Sequence, residues 1–124
     1  MRFVKPETVR LTLPDGNWLD VKKELTVAED MRLNSAGFTR MSGAGGNRGI
    51  DIDWLEMGLA KVETYVVDWS AKNDSGKDVP ITRATIENLA PEDFKAISDA
   101  IDAHIEAMVQ EKKVRDGISS LTPA

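Results

Sequence analysis

Residues 50–69, IDIDWLEMGLAKVETYVVDW, form an apolar stretch around which any fold of this chain must be organised. The stretch contains no proline, and its bulky apolar residues recur at steps of three or four, as on one face of an α-helix. These positions are Ile52, Leu55, Leu59, Val62, Val66 and Trp69. Trp54, Met57 and Tyr65 widen that face. We therefore expect a helix over about 51–69 that is surrounded by other elements or keeps a face for a partner.

A second long helix is predicted near the end of the chain, over about residues 91–114. Pro91 suits the first helical position, and the acidic residues after it complement the positive end of the helix dipole. Apolar residues then follow one helical face: Phe94, Ile97, Ile101, Ile105 and Met108. Gly117 is expected to end the helix, which leaves residues 118–124 as a loose tail.

The N-terminal part of the chain has the alternating pattern of β-strands. Apolar and polar residues alternate over residues 8–13, which gives the segment one apolar face and one solvent-facing polar face. Residues 14–17, Pro-Asp-Gly-Asn, carry turn chemistry between this segment and residues 18–25, so a β-hairpin is predicted. A hairpin is marginally stable alone, and its apolar face is therefore expected to pack on the helices.

Two shorter helices are predicted from their capping residues. Thr26 and Glu29 match a capping box, which favours a helix over about 27–35. Its apolar residues available for burial are Val27, Met31 and Leu33. Thr82 is expected to cap a helix over about 83–89. The chain is thus predicted to be a single domain of the α+β class, mainly α, with the hairpin packed on a small helical bundle.

Charge and cysteine content exclude several classes of protein. Residues 1–48 carry eight Lys and Arg against six Asp and Glu, whereas residues 49–124 carry eight against fifteen. An acidic helical half repels phosphate backbones, so nucleic acid is not expected as a ligand. The absence of cysteine excludes disulfides and suits a reducing cytoplasm. No run approaches the ~20 apolar residues of a membrane span, and no N-terminal run suits a secretion signal, so a cytoplasmic protein is expected.

The motifs that would indicate a cofactor, a metal or catalysis are incomplete. Residues 42–49 hold four glycines but lack the Lys-Ser or Lys-Thr of a phosphate-binding loop and the G-x-G-x-x-G spacing, so a flexible loop is predicted. Asp51, Asp53 and Glu56 lack the turn glycine of a calcium loop, and capping of the middle helix is the better interpretation. His104 is the only histidine and is expected to be partly buried or at a rim. No catalytic, cofactor or metal residue is predicted.

Residues 10–110 resemble the tail assembly chaperones that long-tailed bacteriophages and prophages encode beside the tape-measure protein. The resemblance rests on the DGNWLDVKKELT opening and on the VVDWS end of the middle helix. It continues in the DVPITRATIENL segment, which leads into PEDFKAISDAIDAHIEAMV. None of these patterns is a catalytic signature.

The resemblance implies a non-enzymatic protein of the host cytoplasm. Such a chaperone coats the tape-measure protein before tail-tube subunits polymerise around it, so its implied partners are the tape-measure and tail-tube proteins, and self-association is left open. An alternative is a virion structural protein of such a phage, either a tail component or a head–tail connector. Wide apolar helices can lie against partner helices. The residues expected to contact a partner are Trp54, Met57, Tyr65, Ile105, Met108 and Val109.

Overall fold

The computed structural model describes residues 1–36 and 54–120, with side chains over 55–114 in the second range. An antiparallel sheet is formed by β1 (Thr8–Thr12), β2 (Trp18–Lys22) and β3 (Val66–Trp69), in the order β1-β2-β3. Four helices accompany it: α1 (Val27–Ala36), α2 (Trp54–Tyr65), α3 (Arg83–Glu87) and α4 (Pro91–Ser120). The predicted α+β class, mainly α, is confirmed.

The hairpin forms because its turn residues satisfy one another. Leu13 N–H donates to the carbonyl of Asn17 at 2.7 Å, and the Asp15 carboxylate accepts from the backbone and the side chain of Asn17 at 3.0 and 2.7 Å. These bonds to Asn17 hold the pKa of Asp15 below its usual value. Gly16 has φ +90°, a conformation that other L-residues adopt only with strain.

The middle helix is shorter than predicted, because its last four residues form a strand. α2 ends at Tyr65, and Val66–Trp69 pairs with β2 as β3. The prediction of a helix to residue 69 was wrong, since Val66 and Trp69 fit a helical spacing and a bulged strand equally well. Valine and tryptophan favour strands, and in β3 Val66 and Trp69 are both buried against the core. The predicted hairpin is therefore part of a three-stranded sheet.

The core lies between the inner face of the sheet and the helices. Leu19 and Val21 of β2 are fully buried, and they meet residues of the helices and of β3: Leu59, Val62, Val66, Ile86, Ile97 and Ile101. α2 and α4 approach closely at Gly58, where an added Cβ would lie 3.3 Å from Cζ of Phe94. The indole N–H of Trp69 donates to the carbonyl of Val79 at 2.7 Å, which ties the segment after β3 to the core.

Both predicted short helices are present, and each begins with the expected cap. Thr26 N–H donates to the Glu29 carboxylate at 2.9 Å, while Glu29 N–H donates to the Thr26 hydroxyl at 3.2 Å. Thr82 makes the equivalent reciprocal pair with Thr85. In α1 only Leu33 is buried, whereas Val27 and Met31 are exposed, so the expected burial of these two residues was wrong.

α4 is longer than predicted. It runs to Ser120 and passes through Gly117, which was expected to end it; one glycine costs a helix only about 1 kcal/mol. The predicted loop at 42–49, the capping residues Asp51 and Asp53, and residues 121–124 lie outside the described residues. Among the residues that are described, no helix is both long enough and apolar enough to cross a bilayer.

Candidate functional site

A groove of about 300 Å³ lies between the start of α1 and the second half of α4, and we call it the α1–α4 groove. Its apolar lining comes from three parts of the chain that are distant in sequence: the segment that leads from β2 into α1, the end of α2, and α4. The apolar residues are Leu25, Val27, Tyr65, Ile105, Met108 and Val109. The site is therefore a product of the tertiary fold.

Tyr65 forms the floor of the groove. It is the last residue of α2 and is 9% exposed. Its ring contacts the His104 ring edge to face, with centroids 6.2 Å apart and planes at 84°. Burial raises the pKa of the Tyr65 phenol, and the carboxylates of Asp30 and Glu29 raise it further. The floor therefore stays uncharged at neutral pH.

His104 holds α4 against the sheet beneath the groove. It is buried, and its Nε2 lies 3.1 and 3.2 Å from the carbonyls of Lys22 and Lys23, at the end of β2. Two carbonyl acceptors require that Nε2 carries the hydrogen, so the ring donates to both. His104 was expected to be partly buried or at a rim, and it is buried. Its Nε2–H is used in hydrogen bonds to the backbone of β2 and of the residue after it.

The walls of the groove are exposed apolar side chains. Val27 is 77% exposed at the first position of α1, because the Thr26 cap turns the chain into the helix with this side chain on the solvent side. Val109 is 42% exposed on α4, and Met108 and Ile105 are half-buried beside it. Exposed apolar side chains that converge on one concavity are typical of a surface that receives another apolar group.

The rim of the groove carries charges of both signs. Lys23 and Lys112 are basic, whereas Glu24, Asp30 and Glu111 are acidic. Arg2 reaches Glu24 at 2.6 Å, and Lys23 lies 3.6 Å from Glu7. A ligand with an apolar strip and polar flanks fits this lining better than a small charged molecule does.

The structure brings together four of the six residues predicted to contact a partner. Tyr65, Ile105, Met108 and Val109 all line the α1–α4 groove. Met57 does not line it, since its half-buried side chain packs against the core. The side chain of Trp54 lies outside the described residues.

Sequence reasoning missed Val27 and Leu25. Both flank the capping threonine, and the helical pattern assigned Val27 to the core. The one signal that could have corrected this is the position of Val27 directly after the cap, because only a later turn of α1, at Leu33, reaches the core.

The described residues show no constellation suited to metal binding. Within ranges 1–36 and 54–120, no group of three His, Asp or Glu side chains is arranged to hold a metal ion. Of the residues considered as a metal cluster, Asp51 and Asp53 lie outside those ranges, and Glu56 pairs with Arg83 of α3. Comparison with protein-family models, curated proteins and solved structures finds no match for this chain.

Proposed function

We propose that the chain is a non-enzymatic binding protein that receives an amphipathic helix of a partner in the α1–α4 groove. The observation that carries this proposal is the convergence of Val27, Tyr65, Met108 and Val109 on one open concavity with a charged rim. Recognition of a helix by a groove uses apolar anchors at steps of three and four residues.

The dimensions of the groove support a short helical segment as the ligand. The part of α4 that lines it runs from Ile105 to Lys112, which is two helical turns or about 12 Å. A partner helix lying along this wall would place two or three apolar side chains over Tyr65 and Met108. Its polar flanks would then face both basic and acidic rim residues.

In keeping with the sequence resemblance, we propose that the partner is the tape-measure protein of a long-tailed phage. The chain would act as a tail assembly chaperone that covers apolar helical surface of the tape measure and later yields to tail-tube subunits. Tape-measure proteins of this kind are long and largely helical. Several copies of this chain, each binding about two helical turns, could therefore cover one tape measure.

The test is co-expression of the tagged chain with the tape-measure protein, followed by affinity purification and titration calorimetry with the purified pair. Met108→Asp and Val109→Asp place a carboxylate in the groove, and we expect each to weaken binding by about tenfold or more, as for a central interface residue. Neither residue is fully buried, so both variants should fold.

The matched control is Val114→Asp. Val114 is also an exposed valine on α4, at 61%, but it does not line the groove. The control should bind as the wild type does. Equal loss in all three variants, or binding by none of the proteins including the wild type, would contradict the proposal.

Mass spectrometry of purified particles beside the lysate separates the two phage roles. A chaperone is abundant in the lysate and absent from the particle. Stoichiometric presence in the particle would instead favour a tail component or a connector, and a ring of fixed symmetry would then be expected.

A further inference from the structure

The outer edge of β1 is open in the described part of the chain. β1 is an end strand in the order β1-β2-β3. Two backbone hydrogen bonds at the ends of the β1–β2 pair show which residues bond across it. Leu13 N–H donates to the carbonyl of Asn17, and Lys23 N–H donates to the carbonyl of Glu7. Odd-numbered residues of β1 therefore bond to β2, and the N–H and C=O groups of Thr8, Arg10 and Thr12 point away from it.

The outer edge of β1 is only lightly protected. Edges are commonly guarded by a charge or a proline within the strand. Pro6 and Pro14 lie just outside β1, and the single charged residue within it is Arg10. Its guanidinium is drawn back over the sheet, where it lies 3.8 Å from the Trp18 ring centroid and bonds both oxygens of Asp20 at 2.8 and 3.0 Å.

The space beside the edge is not filled by α4. A cleft of about 460 Å³ runs from Thr12 and Pro14 to the first turns of α4. On the helix side it is lined by the small residues Ala96 and Ala100 and by charged residues of both signs: Glu92, Lys95 and Asp99. Val9 and Leu11, on the inner face of β1, pack against the core but remain only half-buried.

We propose that a second copy of this chain pairs its β1 with this edge, antiparallel, to form a continuous six-stranded sheet. A two-fold contact places each surface against itself, so the surface must be self-complementary. The edge meets this condition, because its free donors and acceptors alternate. The α4 flank carries both signs as well: Lys95, which bonds Asp99 of its own helix at 2.8 Å, can also face Glu92 of the other copy.

The side chains select one register. Even-numbered residues must face even-numbered residues for the free backbone groups to pair. An axis through Arg10 would oppose two guanidinium groups, which is unfavourable. An axis through Leu11 sets Arg10 opposite Thr12 of the second copy and brings the two half-buried Leu11 side chains together.

This surface is separate from the α1–α4 groove, since the two share no lining residue. The dimer therefore carries two grooves, and its formation does not depend on the function proposed for them. Failure of the dimer and failure of partner binding are distinguishable, because each is measured without the other.

The first test is sedimentation equilibrium of the full chain from micromolar to millimolar concentration. We expect a monomer–dimer equilibrium that Thr12→Pro weakens by about tenfold or more, because the proline removes one edge donor from each copy. Thr12→Ala keeps that donor and should dimerise like the wild type. The Thr12 N–H is not used by β2, so far-UV circular dichroism of the proline variant should match that of the wild type.

The second test uses the wild type alone and reads the edge directly. Amide hydrogen exchange of Arg10 and Thr12 should be fast in dilute solution and become slow as the concentration rises, while the odd-numbered amides Val9 and Leu11 stay protected throughout. A chain that is monomeric over the whole range overturns the proposal. A dimer in which the amides of Arg10 and Thr12 still exchange fast overturns it too.

Discussion

At the scale of single residues, several polar contacts lie where the chain changes direction. Glu29 is one of them, since its carboxylate accepts from Thr26 N–H at 2.9 Å and pairs with the Lys22 ammonium. The Lys22 side chain and the Thr26 amide lower the pKa of Glu29 to about 2. The contact joins the end of β2 to the start of α1, and so it positions Val27 at the groove.

The Glu29 pair makes the stability of the protein depend on pH. A carboxyl group with a depressed pKa stabilises the folded state above its unfolded value, 4.5, and loses that contribution as the pH falls toward about 2. Glu29→Gln keeps a capping side chain but removes the charge. Because the group is partly open to solvent, we expect a loss of only about 1 kcal/mol at neutral pH.

Urea unfolding at neutral pH and in steps below pH 4.5 measures this effect. The difference in unfolding free energy between Glu29→Gln and the wild type should shrink as the pH falls, since the wild type then becomes protonated as well. Glu63→Gln is the control, because Glu63 is an exposed carboxylate of α2. A constant difference across the pH range would show that the charge of Glu29 does not contribute.

At the scale of elements, the sequence predicts the types of most segments better than their ends. Local chemistry was sufficient for the hairpin and for the helices after Thr26 and Thr82, because turn and capping residues act on their neighbours. It was insufficient for Val66–Trp69, whose spacing fits both a helix and a strand. Only the partner strand β2, more than forty residues earlier in the chain, decides between them.

For the candidate site, the sequence likewise predicts individual residues but not how they come together. Tyr65, Ile105, Met108 and Val109 are recognisable as apolar residues of two helices, and the groove contains all four. Their convergence, and the contribution of Val27, depend on how α1 and α4 both pack on α2. No local pattern contains that information.

The approach of α2 to α4 depends on the absence of a side chain at Gly58. A Cβ there would lie 3.3 Å from the Phe94 ring, so a larger side chain must displace the ring or the helix. We expect Gly58→Leu to destabilise the protein by about 1–3 kcal/mol, although leucine is the better helix former. Thermal and urea unfolding provide the measurement.

A double-mutant cycle with Phe94→Leu assigns the cause. If the ring is the obstacle, the smaller residue relieves it and the cost of Gly58→Leu falls by about 0.5 kcal/mol or more. Additive effects of the two substitutions would mean that Gly58 is required for another reason.

At the scale of the whole molecule, the core occupies only part of α4. Of the side chains of α4 that the structure describes, up to Val114, none beyond His104 is buried, and from Val109 to Val114 every residue is exposed. We therefore expect a gradient of amide hydrogen exchange along α4, with the strongest protection from Ile97 to His104. Amides beyond Gln110 should exchange at least about a hundredfold faster, as in a locally fraying helix end. Uniform protection along α4 would mean that its second half is covered by a further contact.

The order of strands in the sheet has a consequence for synthesis on the ribosome. The hairpin is complete at Lys22, but its neighbour β3 does not begin until Val66. At about 5–20 residues per second, the inner strand β2 waits several seconds for that neighbour. During this time Leu19 and Val21 have neither β3 nor α4 to cover them, so the nascent chain is most prone to aggregation before its second half emerges.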